Sequence, residues 1–238
     1  MRAEMPFSGK TALVAGGTGG LGKSVALAFL EAGARVAVTY RNPDEYAALE
    51  TAAGHPARER LSGHVVDVTD EATVRSLVDE LVRRDGRLDA LVNCVGGFAG
   101  GSKLWETDPK TFDRMLDLNF RSGLALCRAV VPAMLRRGEG AIVNVASRAA
   151  VDHGAGLSAY AASKAAAVAL IDSLAADLAG TAVRANSILP SIIDTEANRR
   201  AMPKADFSKW PKPEEIARVV LFLCGDDARR IHGAAIPV

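Results

Sequence analysis

Short apolar runs alternate along the chain with longer segments whose apolar residues recur at helical spacing. The runs TALVAG (11–16), RVAVTY (35–40), HVVDV (64–68), DALVNCV (89–95), AIVNVAS (141–147), VRANSIL (183–189) and GAAIPV (233–238) are mostly apolar throughout. That is the pattern of strands buried on both faces. Helices are predicted between them over 20–32, 43–53, 70–84, 110–137, 158–179 and 213–224. Strand and helix in repeated alternation predict right-handed crossovers, and so an α/β fold: a doubly wound parallel sheet of about seven strands with helices on both faces. No linker-like or low-complexity stretch divides residues 1–238, so one domain is expected.

The first strand-to-helix junction reads VAGGTGGLGKSVALAFL, with Gly16, Gly20 and Gly22 at the turn. Glycines there let a pyrophosphate approach the backbone, where a helix N-terminus offers unpaired N–H groups and positive partial charge. Gly16, Thr18, Gly20, Leu21 and Gly22 are therefore candidate dinucleotide contacts. Tight strand–helix packing alone is the competing reading; the second strand arriving on schedule at 35–40 favours the dinucleotide. An acid ending that second strand would bond a ribose 2′-hydroxyl, whereas a basic residue accommodates a 2′-phosphate. Here the strand ends Tyr40-Arg41-Asn42, with no acid before Asp44. Arg41 can fork onto a phosphate or be an ordinary surface arginine. The first reading makes NADP(H) the preferred cofactor and NAD(H) a possible one.

Charge and composition narrow the partners. The net charge is +1 with no basic cluster, which leaves no electrostatic footprint for nucleic acid or an anionic membrane. Cys94, Cys127 and Cys224 are scattered, odd in number and without metal-ligand spacing, as suits a reducing cytoplasm. The start MRAEMPFSGK has no apolar signal core, and no run is expected to approach a membrane span. A cytoplasmic protein with a small-molecule substrate is the expectation.

In SAYAASKAAAVALIDSLAADL (158–178), Tyr160 and Lys164 stand four apart on an alanine-rich helix and share a face. Alone, the pair fits a solvated face with a snorkelling lysine. The whole chain, however, resembles the short-chain dehydrogenases/reductases, a family with a Rossmann-like fold. Gly16, Gly20 and Gly22 match its cofactor loop, with Ala15 where threonine is usual; DALVNCVGG matches its strand-four segment at Asn93 and Gly96, while Cys94 and Val95 depart. Asn119 in LDLNFRS, Ser147 in VNVASRAA, Tyr160 and Lys164 match its catalytic tetrad in order and spacing.

The resemblance implies roles. Tyr160 would be the general acid or base, with Lys164 and an oxidised nicotinamide favouring phenolate and lowering its pKa from about 10. Lys164 would also bond the nicotinamide ribose. Ser147 would hold the substrate oxygen, and Asn119 would bend its helix and support a water leading to Lys164. Asp67, with Val68, would meet adenine; Pro190, Ile193 and Thr195 would meet the nicotinamide end, with Ser191 where glycine is usual. In relatives the helices at 110–137 and 158–179 pair across a two-fold axis, so a homo-oligomer, dimer or tetramer, is implied. The chain's end, IHGAAIPV, departs from the family's Asp-Gly-Gly tail, which helps pack subunits.

Residues 191–215 are expected to form a substrate lid. Within it DTEANRRAMPKADFSKW resembles the matching segment of quinoid dihydropteridine reductase, whose family members typically lack the serine and carry an acid where this chain has Ser147 and Arg41. The reaction expected is hydride transfer between a nicotinamide and a small carbonyl, hydroxyl or pteridine-like substrate. Reduction of 3-oxoacyl groups, and a catalytically silent NADP-binding sensor or scaffold, are the alternatives.

Overall fold

Alternation of apolar side chains to two faces builds the sheet. In a computed structural model that describes residues 5–238, Ala12 and Val14 of the first strand face one buried cluster and Leu13 and Ala15 the other. The strands are β1 (Thr11–Ala15), β2 (Arg35–Tyr40), β3 (Leu61–Val65), β4 (Ala90–Asn93), β5 (Gly140–Val145), β6 (Val183–Leu189) and β7 (Ala235–Pro237). They form one parallel sheet in the order β3-β2-β1-β4-β5-β6-β7. The order reverses between β1 and β4, and the crevice beyond their carboxyl ends is where open α/β sheets bind ligands.

The helices are α1 (Gly20–Glu31), α2 (Pro43–Ala53), α3 (Glu71–Asp85), α4 (Pro109–Leu116), α5 (Ser122–Arg137), α6 (Ala149–Asp152), α7 (Ser158–Asp177), α8 (Glu196–Ala201) and α9 (Pro213–Cys224). Phe29, Leu49 and Val220 place α1, α2 and α9 over one face of the sheet. Leu77, Leu126 and Ile171 place α3, α5 and α7 over the other. Local chemistry sets the ends: Asp70 caps α3 by accepting from Ala72 N at 2.9 Å, and Gly86 closes it with φ of 72°.

Three expectations are corrected. The third strand runs over 61–65 rather than 64–68. It is an edge strand and needs less apolar content, so the valine-rich run misled: Val65 is exposed, while Val66 and Val68, beyond the strand, pack on the core. The helix expected over 110–137 is interrupted by a π-helical turn, Asp117–Arg121, between α4 and α5. Thirdly, α7, with 20 residues and mean hydropathy 1.2, is long and apolar enough by length and composition to cross a membrane. Its alanines supply the apolarity, and it buries Ser163, Lys164, Ala167, Ile171 and Ala175 within the fold.

Candidate active site

Close packing demands the glycines of the β1–α1 turn. Gly16 holds φ of 70°, a side chain on Gly22 would run into the Gly16 carbonyl, and a Cβ on Gly20 would come within 2.8 Å of Thr195. Thr39 fastens the turn, its hydroxyl accepting from Gly16 N at 2.9 Å. At the helix start Gly19 provides no side-chain cap and the first turn holds no acid. Lys23 N donates to Gly19 O, but the amides of Gly20, Leu21 and Gly22 have no acceptor among the described residues, which fits the pyrophosphate of a dinucleotide. Leu21 is buried beneath the turn, and Thr18 donates to Glu45 Oε2 at 2.9 Å.

The π-helical turn aims Asn119 inward, as π-bulges often do at functional sites. Its buried amide donates to Ser163 Oγ at 2.9 Å and Gly97 O at 3.1 Å, and its oxygen accepts from Gly97 N at 2.9 Å. Lys164, 5% exposed, donates to Val145 O at 3.0 Å. A Cβ on Gly96 would stand 2.7 Å from Asn119 Oδ1 and 3.1 Å from Lys164 Nζ, so this glycine is a spatial necessity. The structure therefore joins Gly96, Asn119 and Lys164. Ser163 and the backbone of Gly97 and Val145 complete the network; no sequence signal marked them, since a small buried hydroxyl and three peptide groups carry no pattern.

Ser147 lies two residues beyond β5, and its Oγ accepts from Ala149 N at 3.2 Å. Burial pushes the Tyr160 phenol above its ordinary value, and a hydrogen bond with Ser147 pulls the other way. This corrects the expected direction: within the protein alone, burial prevails. Lys164 is itself lowered to about 8 by burial. Phe98 covers the phenol edge-to-face, ring centroids 5.0 Å apart.

The adenosine end is open. Arg41 is exposed and lines a cavity of about 520 Å3 with Asp67, Thr69, Lys110 and Arg114. Asp67 accepts from Thr69 N at 3.0 Å and Thr69 Oγ1 at 2.7 Å, and these bonds, with Arg41 adding to them, hold its carboxyl below the usual range. Tyr40 stacks on Tyr46 at 4.7 Å.

Several candidates have other duties. Val68 puts its side chain in the core, leaving only its backbone to a ligand. Asn93 is consumed within the sheet, donating to Asn144 Oδ1 at 3.0 Å and accepting from Val95 N at 3.1 Å. Thr195 caps α8, accepting from Asn198 N at 3.2 Å, while Ile193 O accepts from Asn198 Nδ2 at 2.8 Å. Pro190 is buried, and its carbonyl accepts from Arg148 N at 3.0 Å. The segment 191–215 contains α8, a 3-10 turn at Phe207–Lys209 and the start of α9. Asp194 pairs with Arg199 (2.8 Å), Arg199 lies 4.8 Å from the Phe207 ring, and Phe207 packs on Trp210 at 4.9 Å. Four residues of the pteridine-reductase resemblance thus hold the segment to itself. Among the described residues no group of three His, Cys, Asp or Glu could hold a metal ion.

A Gly-lined helix start thus stands at a sheet switch point, with a serine, a tyrosine and a lysine beyond it. The family model for short chain dehydrogenase matches residues 10–206, and the chain belongs to the short-chain dehydrogenase/reductase family. It is 30% identical over 245 residues to the 3-oxoacyl-[acyl-carrier-protein] reductase FabG of Thermotoga maritima, covering 98% of each chain. Among solved structures, it matches ElxO with NADP bound at TM-score 0.90 and 28% identity, covering 96% of each. It matches NAD+-bound xylitol dehydrogenase at TM-score 0.88 and 29% identity, covering 98% of each. The chain is an NAD(P)(H)-dependent oxidoreductase that transfers hydride between the nicotinamide and a carbonyl or hydroxyl carbon.

Proposed function

We propose that the chain is an NADP(H)-preferring reductase of a small carbonyl substrate, working in reverse on the alcohol. Tyr160 exchanges the proton, Ser147 holds the substrate oxygen, Lys164 binds the nicotinamide ribose, and Asn119 positions Lys164's surroundings. The observation that carries this reading is the juxtaposition of Ser147 with Tyr160 beside a buried Asn119–Lys164 network that Gly96 alone leaves room for. When bound, the nicotinamide supplies a hydride to the carbonyl carbon or takes one from the carbinol carbon. A phenol kept protonated by burial suits donation to the carbonyl oxygen in the reducing direction. Gly16, Thr18, Gly20, Leu21 and Gly22 hold the pyrophosphate, while Asp67, the Val68 backbone, Asn93, Gly96, Pro190, Ile193 and Thr195 frame the rest of the cleft.

Arg41 supports the NADP preference, and the NADP-bound neighbour is consistent with it, although another neighbour holds NAD+. Residues 191–215 serve as a lid on one domain spanning 1–238. The free thiols of Cys94, Cys127 and Cys224 suit a cytoplasmic enzyme. Exposed alanines on α7 (Ala162, Ala169, Ala176) suit close approach by a second copy, giving a dimer or tetramer. Oxidation of NADPH against a broad carbonyl panel tests the reading: turnover supports it, and tight cofactor binding with no turnover would leave a silent sensor instead.

A further inference from the structure

Among the described residues, five large apolar side chains, between 44% and 78% exposed, stand on the three segments that follow β4, β5 and β6: Phe98, Leu104, Trp105, Val151 and Ile192. Parallel strands send those segments to one edge of the sheet, the edge that carries Ser147 and Tyr160. Phe98 makes the link direct, since its ring packs edge-to-face on Tyr160 at 66°. A large apolar ring held in water against a reactive centre, with four more large apolar side chains on the segments at the same end of the sheet, marks a surface shaped for apolar ligand. Several polar groups of the same edge are already engaged, although the buried Ser158 Oγ is not. Arg148 pairs with Asp152 at 3.2 Å, Asn119 bonds Gly97 and Ser163, and Lys164 donates to Val145. Ser147 and Tyr160 offer a binding point for one substrate oxygen, and the exposed Phe98 ring offers apolar surface beside it.

We propose that the substrate is a bulky, apolar cyclic ketone, or its secondary alcohol, whose broad face lies against Phe98 while its oxygen sits at Ser147 and Tyr160. The aromatic Phe98 and Trp105 favour a ring face over a chain. This inference rests on the carbonyl-reductase reading above. A neighbouring cavity of about 410 Å3, walled by Phe98, Glu106, Asp108 and Arg114, is where a polyhydroxy tail would lodge, so a small sugar ketone is the sharp rival.

The test compares kcat/KM of the full chain for decalone, erythrulose and a quinonoid dihydropterin, each with reduced cofactor. Decalone is expected to lead by roughly 10-fold or more, the range set by apolar pocket contacts. Phe98→Ala is expected to cut the decalone-to-erythrulose ratio about 10-fold, and Phe98→Leu, which keeps apolar bulk, to retain most of it. A lead for erythrulose or the dihydropterin, or a ratio that Phe98→Ala leaves unmoved, overturns the proposal. Should cofactor bind and none of the three turn over, the activity reading fails, and binding decides the inference instead. Saturable quenching of tryptophan emission by decalone in the cofactor-loaded protein, lost in Trp105→Phe, supports it; emission that does not saturate overturns it.

Discussion

The two ends of the cofactor cleft are built differently. At the catalytic end, Asn119, Ser163 and Lys164 are buried and bonded across segments: Asn119 to Gly97 after β4 and to Ser163 of α7, and Lys164 to Val145 of β5. At the adenosine end, side chains are exposed and mostly satisfied by close neighbours in sequence, Asp67 by Thr69 and Asn42 by Asp44. Proton and hydride transfer require reacting groups held to a fraction of an ångström, and only a packed interior supplies that. Recognition of a charged ribose substituent needs one well-placed charge, which the surface can hold. Changes at the first end should therefore be severe and indivisible, and changes at the second graded.

The largest effect is expected from Tyr160→Phe. It removes the proton carrier but keeps the ring against Phe98, and general acid–base catalysis is worth about 10²–10⁴-fold. Steady-state kinetics should show kcat falling by that factor while the cofactor dissociation constant holds. A kcat near the parent value would move the chemistry to another residue. In the parent, reduction should slow as pH rises through the raised phenol value and oxidation should quicken, because only the protonated form donates and only the phenolate accepts.

Gly96→Ala tests whether the catalytic end tolerates displacement. Its Cβ would meet Asn119 Oδ1 at 2.7 Å and Lys164 Nζ at 3.1 Å, so one or both must shift. Misplacement of about 1 Å costs roughly 10²-fold in rate. Turnover within a few-fold of the parent, with folding intact by circular dichroism, would reveal slack in the network.

The same contrast decides what the sequence revealed. Strands buried on both faces write themselves as apolar runs, so β1, β2, β4, β5 and β6 were legible to within two residues. The edge strand β3, LSGHV, was not, because half-exposed residues need no apolar run. The four residues that match the family's tetrad pattern were named through family spacing, and the local bend expected at Asn119 corresponds to the π-helical turn. Its bonding partners were not, since backbone carbonyls and a lone serine look alike everywhere. At the adenosine end Arg41 was visible as the missing acid, but Glu45 reaching Thr18 was not, because its helix places it by geometry rather than by motif.

Arg41→Ala and Glu45→Gln probe that graded end. An arginine–phosphate bond is worth about 1.5–3 kcal/mol, or roughly 10- to 150-fold in affinity. Arg41→Ala should narrow the NADPH-over-NADH gap by up to that factor without altering NADH binding. Glu45, which accepts from Thr18 at the β1–α1 turn, adds a carboxylate near the cofactor phosphates, and exposed charge pairs are worth about 0.2–1 kcal/mol. Its amide should widen the gap only about 1.5- to 5-fold. Fluorescence titration of both cofactors measures the two; equal affinities in the parent would retire the NADP preference.

The smallest effect lies in stability against pH, where the two ends report in opposite windows. Burial lowers Lys164 from 10.5 to about 8, so the folded state disfavours the charged ammonium. As pH rises from about 8 toward 10.5, the unfolded chain keeps a proton that the folded chain has released, and stability grows. The buried thiols of Cys94, Cys127 and Cys224, pushed from 9.0 to about 12, act in reverse, because only the unfolded chain loses their protons near 9. Subtracting a Lys164→Met variant cancels the thiols. The difference, parent minus variant, should rise by about 1 kcal/mol between pH 8 and pH 9 in urea titrations. Asp67 has the same slope in an acid window: its lowered carboxyl stabilises the fold above its ordinary 3.8, and that contribution is lost as pH falls through its folded value. Asp67→Asn should thus differ from the parent only on the acid side, and weakly, because solvent screens it. A Lys164 difference flat across the alkaline window would mean that water reaches the ammonium, and the catalytic end would then be as open as the adenosine end.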